Sequence, residues 1–69
     1  MDTTKTVTLT GVNLVRPGVF RAFWMDDKQR PCAALTAPDF NGALVSGMTA
    51  TLTIAKVNGN RRIVAAVPA

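Results

Sequence analysis

The chain has 69 residues and a mass of 7.3 kDa, which allows one small domain over residues 1–69 and no second hydrophobic core. Apolar residues make up 48% of the sequence and charged residues 17%, and this composition excludes a disordered tail. The formal net charge of +4 favours a polyanionic partner.

The sequence also lacks most of the residues that membrane insertion, metal binding and catalysis require. It contains neither a stretch of about 20 apolar residues nor a hydrophobic signal block, so we expect a soluble, cytoplasmic protein with no membrane partner. The only cysteine, Cys32, cannot close an intramolecular disulfide, and without histidine no zinc site can be assembled. Because His, Glu and Tyr are absent and Ser46 is the only serine, we predict a protein that is not an enzyme and holds no cofactor.

Short runs rich in threonine and valine predict an all-β protein, because β-branched residues favour strands over helices. In the segment Thr4–Thr10 every second residue is threonine, and the pattern predicts a half-buried strand with Val7 and Leu9 pointing inward. Gly11 then interrupts the alternation before apolar residues resume it. A glycine inside a strand is typical of a bulge or bend, so we expect one long, bent first strand.

Turn residues bound the next two strands. Arg16-Pro17-Gly18 is typical of a turn, and it predicts a second strand over Val19–Met25. The polar segment Asp26–Gln29 is short enough to join two antiparallel strands, which places the third strand at Arg30–Ala37. Pro31 must lie at the start of this strand or on a sheet edge, because it has no N–H to donate.

The second half of the chain contains the clearest pattern. Residues 38–47 predict a loop, in which Phe40 either closes one end of the protein or is an exposed anchor, with closure favoured. From Met48 to Ile54, apolar residues alternate with threonine and predict a half-buried strand. Asn58-Gly59 predicts a two-residue type I′ turn, and Arg61–Val67 the last strand. Five short strands in this order predict a small OB-like barrel, with an SH3-like barrel as the alternative.

Three of the four aromatic rings lie in the predicted second strand, close to several cations. Strand alternation puts two sets of residues on opposite faces: Val19, Arg21, Phe23 and Met25, and on the other side Phe20, Ala22 and Trp24. Because arginine is rarely buried unpaired, the first set is expected to face solvent. Phe20 and Trp24 are therefore expected in the core, whereas Phe23 is equally well explained as a stacking ring or as a core residue.

Cations and an exposed ring together are the features that bind single-stranded nucleic acid. The predicted binding residues are Arg16, Arg21, Phe23, Lys28, Arg30, Lys56, Arg61 and Arg62. We expect them to bind single-stranded DNA, or RNA, with little sequence preference. For the cations around Asn58-Gly59, protection of a strand edge from aggregation is an equally good explanation.

The alternative function is that of a small phage- or plasmid-encoded module that binds or inhibits a host protein. The apolar run Ile63–Val67 further predicts a homodimer or a higher oligomer.

Two segments resemble known nucleic-acid-binding proteins. The segment Gly47–Ala69, in which a glycine opens an alternating strand that leads through a turn into a short apolar strand, resembles the closing hairpin of the small single-stranded-DNA-binding proteins of filamentous phages. Gly18–Phe23, which leads into a hairpin, is similar to bacterial initiation factor one, an OB-fold protein that binds ribosomal RNA. The resemblance implies an OB-like fold with a nucleic-acid face and, for the phage type, a homodimer.

Overall fold

The computed structural model describes residues 2–40 and 42–69. Within these residues the protein contains five strands and no helix, so the predicted all-β class is confirmed. The strands are β1 Thr3–Arg16, β2 Val19–Met25, β3 Pro31–Thr36, β4 Thr49–Val57 and β5 Asn60–Pro68. The second strand has the predicted bounds, Pro31 opens the third strand as expected, and the other predicted ends differ by a few residues.

The five strands form a closed barrel in the order β1-β2-β3-β5-β4, with β4 pairing back to β1. All neighbouring strands are antiparallel except β3 and β5, which run parallel. Hairpins join β1 to β2 and β2 to β3, and after a longer connection β4 returns to lie beside β1. This arrangement is a Greek key, and a five-stranded Greek-key barrel is the description of an OB-like fold.

The first strand closes the barrel because it pairs with two strands in succession, β4 and then β2. Residues Thr3–Thr8 pair with β4, and residues from Leu9 onward pair with β2. The pairing with β2 shifts by one residue between Leu9 and Gly11, so Thr10 is the extra residue of a β-bulge. The prediction of one long first strand is therefore confirmed, and the bulge expected from Gly11 lies at the preceding residue, Thr10.

The end of the β3–β4 connection holds this bulge in place. Leu9 donates its N–H to the carbonyl of Met48 and accepts a hydrogen bond from the N–H of Gly47, each at 2.8 Å. The hydroxyl of Ser46 donates to the carbonyl of Thr10 at 3.3 Å. Gly47 has a φ of +91°, a value that glycine adopts without steric cost. The change of partner strand therefore leaves these backbone groups at the bulge hydrogen-bonded.

The core lies between the strands and consists of seven tightly packed apolar residues. These are Leu9, Ala22, Trp24, Ala50, Leu52, Ile54 and Ile63. Half-buried side chains of Val7, Met48 and Phe40 pack against them, as predicted for the inward faces of β1 and β4 and for the loop phenylalanine. The opposite face of β1 and β4 carries paired threonines, whose hydroxyls hydrogen-bond at 2.8 Å (Thr6–Thr51) and 2.9 Å (Thr8–Thr49).

The β4–β5 turn has the predicted geometry. Asn58 has a φ of +53° and Gly59 a φ of +82°, and two positive φ angles are the signature of a type I′ turn. This turn matches the twist of the two strands, so they continue as a tight hairpin.

Replacement of a central core residue tests the packing. Leu52→Ala removes a fully buried side chain, and we expect it to lower the free energy of unfolding by about 2–5 kcal/mol. Val45→Ala, at an exposed loop position, is the matched control and should change stability by less than about 0.5 kcal/mol. Urea denaturation followed by circular dichroism measures both values, and equal effects of the two substitutions would contradict this core.

Candidate nucleic-acid interface

From Arg21 onward, the side chains of β2 alternate between an outward face and a buried face largely as predicted. Ala22 and Trp24 are buried, whereas Arg21 is exposed and Phe23 is half-buried outside the core cluster. In the barrel, Gly11 and Ala33 lie directly opposite Phe23 on the two neighbouring strands. The ring therefore stands between the two smallest residue types on the outward side of the sheet.

The start of β2 does not follow the predicted alternation. Val19, expected to face solvent, is buried with 6% of its surface exposed, and Phe20, expected in the core, is 36% exposed. The pairing of β1 with β2 shifts again between Leu14 and Arg16, so Val19, which pairs with Arg16, lies beyond this shift. Phe20 pairs with Leu14, which is 63% exposed, where the hairpin extends past the core. The core assignment of Phe20 was wrong.

The outward side of the two strands forms a continuous surface, here called the β2–β3 face. Its residues are Arg21, Phe23, Met25, Ala33 and Leu35. Leu35 lies opposite Arg21 on one side and opposite Arg62 of β5 on the other. Because neighbouring strands are about 4.8 Å apart, the two arginines start roughly 10 Å from each other in one row. The fold thus brings together two cations that are far apart in the sequence.

Two adjoining depressions lie along β1, β2 and the loop that follows β2. The loop-side depression, of about 520 Å³, is lined by Lys5, Thr6, Val7, Thr8, Thr10, Trp24, Met25, Asp26 and Asp27. The Gly11 depression, of about 490 Å³, is lined by Thr10, Gly11, Phe23, Trp24, Met25, Pro31, Cys32 and Ala33. They share Thr10, Trp24 and Met25, and together they form an open groove beside Phe23.

Asp26 holds the β2–β3 loop in one conformation. Its carboxylate accepts hydrogen bonds from the backbone N–H groups of Arg30 at 2.8 Å and Lys28 at 2.9 Å, and from Arg30 Nε at 2.9 Å. The Arg30 N–H is the largest cause of an Asp26 pKa below the ordinary value. The Arg30 side chain, the Lys28 N–H and the charge of Lys5 also lower this pKa, against an opposing effect of burial. The carboxylate therefore remains charged and organises the loop.

The β2–β3 loop carries two of the predicted binding residues, whereas the loop residues that line the groove are Asp26 and Asp27. Lys28 is exposed, and the Arg30 side chain is 69% exposed although its Nε is bonded to Asp26. This is the one salt bridge found in residues 2–40 and 42–69. The positive charge of Arg30 is therefore partly neutralised by Asp26, whereas Lys28 forms no salt bridge within the described residues.

The remaining predicted cations lie at the ends of the two other hairpins. Arg16 is exposed at the end of β1, beyond the register shift, and does not share the row of Arg21. In the β4–β5 hairpin, Lys56 lies directly opposite Arg61, and both are exposed. Like charges in opposite positions destabilise a strand pair. The hairpin therefore concentrates positive charge, and this lowers the stability of the free protein.

Sequence reasoning did not identify Gly11, Thr10 and Met25 as parts of this groove. The alternation of β1 places Gly11 on the same side as Val7 and Leu9, and only the bulge at Thr10 turns it outward to lie opposite Phe23. The sequence shows that the alternation breaks at Gly11, but it does not show that Gly11 then faces outward, opposite Phe23.

Comparison with known proteins gives no match: no protein-family model, no curated protein and no solved structure is significantly similar to this chain. The resemblance to the filamentous-phage proteins and to initiation factor one therefore stays a prediction. A search of the part of the chain described by the structure finds no helix with the length and apolar character needed to cross a membrane.

Acid titration tests the role of Asp26. Asp26→Asn should lower the melting temperature at neutral pH, because it removes the charged acceptor on which the loop depends. A lowered folded pKa stabilises the protein above the unfolded pKa of about 3.9. The difference in melting temperature between the wild type and Asp26→Asn should therefore disappear as the pH falls through the folded pKa of Asp26.

Asp27→Asn is the control, since it makes the same charge change at the next residue. None of the loop hydrogen bonds seen in the described residues involves the Asp27 carboxylate. A gap between wild type and Asp26→Asn that is independent of pH would contradict the assigned role.

The opposed cations of the β4–β5 hairpin give a second prediction. Lys56→Gln removes the repulsion from Arg61 and should raise the free energy of unfolding by about 0.2–1 kcal/mol at low salt. The gain should shrink at about 1 M salt, where exposed charges are screened. Lys28→Gln, in a loop, removes the same charge and should give no such gain. Equal effects of the two substitutions would show that the cross-strand pair does not matter.

Proposed function

We propose that this protein binds single-stranded nucleic acid, with single-stranded DNA favoured, along the β2–β3 face. The observation that carries the proposal is the position of exposed Arg21 two residues before Phe23, on the same outward side and beside an open groove. Proteins that hold single strands without sequence preference combine cations along the phosphates with aromatic rings on which bases stack. Both features occur here on one surface.

The arrangement of charges supports a strand that crosses the sheet. Arg21 and Arg62 flank Leu35 in one row, and Lys28 and Arg30 lie on the loop that leads from β2 into β3. In OB folds, the face of strands two and three is where oligonucleotides bind, and this analogy of fold supports the same face here. The net charge of +4 adds a general attraction for a polyanion.

The β4–β5 hairpin extends the proposed contact. Lys56 and Arg61 face each other without an acidic partner among the described residues. A phosphate group between them would relieve their repulsion, so the charge that costs stability in the free protein becomes favourable in the complex. Substitution of Lys56 is then expected to stabilise the protein and to weaken binding at the same time.

We also propose that the protein forms a homodimer through β5. Within the described chain, β5 pairs with β3 only at Arg62 and Ile63, so the edge of residues 64–68 has no strand from β3 beside it. Val67 at this edge is 61% exposed. An apolar strand with a free edge favours pairing with an identical strand from a second copy.

A second candidate function is binding to another protein, and one observation favours it. The tip of the β1–β2 hairpin exposes Leu14, Val15 and Phe20, which form an apolar group at the end of the barrel opposite the β2–β3 loop. Exposed apolar groups of this kind often mark protein contacts. This function would leave Arg21 without a role.

Removal of one cation tests the phosphate contact. Arg21→Ala should weaken binding to a fluorescent oligothymidine and reduce the slope of log affinity against log salt by about one unit. Arg16→Ala is matched in charge and lies away from the row, so it should have a smaller effect. Unchanged affinity in Arg21→Ala would favour the protein-binding function instead.

Removal of the ring tests stacking. Phe23→Ala should cost about 1–3 kcal/mol of binding with an almost unchanged salt slope. Phe23→Leu keeps an apolar side chain without a ring, and it should lose affinity while keeping most of the folding stability. If Phe23→Ala instead loses about 3–5 kcal/mol of folding stability and the folded fraction binds normally, the ring is a core residue.

Light scattering tests the homodimer. The mass in solution at high protein concentration should be about twice 7.3 kDa. Val67→Lys, which places a charge at the free edge of β5, should return the mass to that of one chain. A wild-type mass of one chain at every concentration would refute the dimer.

A further inference from the structure

Gly11 is a glycine that the fold does not need. It lies inside β1, where glycine weakens a strand because it adds backbone entropy and no packing. Its φ is outside the positive range that Gly18, Gly47 and Gly59 occupy. A Cβ at this position would meet no atom within 4 Å. Neither backbone geometry nor close packing therefore explains why position 11 has no side chain.

The glycine does leave space beside Phe23. Gly11 and Ala33 are the residues directly opposite Phe23 on its two neighbouring strands, so no large side chain covers the ring from either strand. The Gly11 depression, of about 490 Å³, opens at this point and has Trp24 among its lining residues. A side chain at position 11 would project into this space, because residues 11 and 23 share a face.

We infer that the Gly11 depression is the seat of one unpaired nucleobase, stacked on Phe23 and kept open by the missing side chain of Gly11. The inference rests on the proposed function and specifies one position on that face. A base has two apolar faces, which suits a ring flanked by small residues. Arg21 lies two residues from Phe23, or roughly 7 Å along the strand, where it can reach the phosphate of the seated nucleotide.

A size series at position 11 tests the seat. Gly11→Ala, Gly11→Val and Gly11→Leu all restrict the backbone in the same way, but they fill the depression to different degrees. The alanine variant should bind fluorescent oligothymidine nearly as well as the wild type. The leucine variant should bind about 5- to 150-fold more weakly, which is the range for loss of one stacked base. Melting temperatures in all three should equal or exceed the wild-type value, because glycine is the weakest of these residues in a strand.

Trp24 provides an independent signal of occupancy. It is the only tryptophan and lines the Gly11 depression. Its fluorescence should change when oligothymidine binds to the wild type. In Gly11→Leu the change at saturating oligonucleotide should be smaller than in the wild type, and any remaining change reports on the loop-side depression, which Trp24 also lines.

The outcomes separate this inference from the proposed function. If wild type and Gly11→Leu bind equally well, the seat is refuted while nucleic-acid binding stands. If the wild type does not bind oligothymidine at low salt, the proposed function fails and the seat fails with it. If all three variants melt well below the wild type, the backbone requires glycine and the inference is overturned. Graded loss of affinity with unchanged melting temperature supports the seat.

Discussion

The bulge at Thr10 is the feature on which the rest of this barrel depends. One strand pairs first with β4 and then with β2, and the extra residue between Leu9 and Gly11 allows the change of partner. The turn before β4 fixes the bulge by hydrogen bonds to Leu9 and Thr10. Without a strand shared in this way, five strands of this length could not close on themselves around a core of seven residues.

The same bulge shapes the candidate site. It reverses the faces of β1, so Val12 packs against the core and Gly11 turns outward to the position opposite Phe23. Trp24, on the inward side, lies below both depressions of the groove and links the core to the outer surface. Closure of the barrel and opening of the groove are thus two results of one irregularity in the backbone. Stability and the proposed binding are coupled at this point of the chain.

Local patterns were sufficient to predict the strands, whereas contacts distant in sequence were not. The period of two in Met48–Ile54 and the Asn58-Gly59 turn specify the β4–β5 hairpin by themselves, since their signals depend only on neighbouring residues. The outward position of Gly11 depends on a register shift that alternation cannot foresee, and the exposure of Phe20 depends on where the β1–β2 hairpin extends past the core. The row of Arg21 and Arg62 requires the parallel contact of β3 with β5, which no local pattern contains.

The central claim is that a single strand lies on the β2–β3 face, and nuclear magnetic resonance of the ¹⁵N-labelled protein tests it most directly. Titration with oligothymidine should shift the amide signals of Gly11, Arg21, Phe23, Ala33, Leu35 and Arg62, because these residues form one outward surface. The amides of Thr49 and Thr51, which lie on the β4 side of the threonine face and outside both depressions, should stay unchanged. Shifts confined to the threonine face or to the β1–β2 hairpin tip, or no shifts at all, would contradict the account.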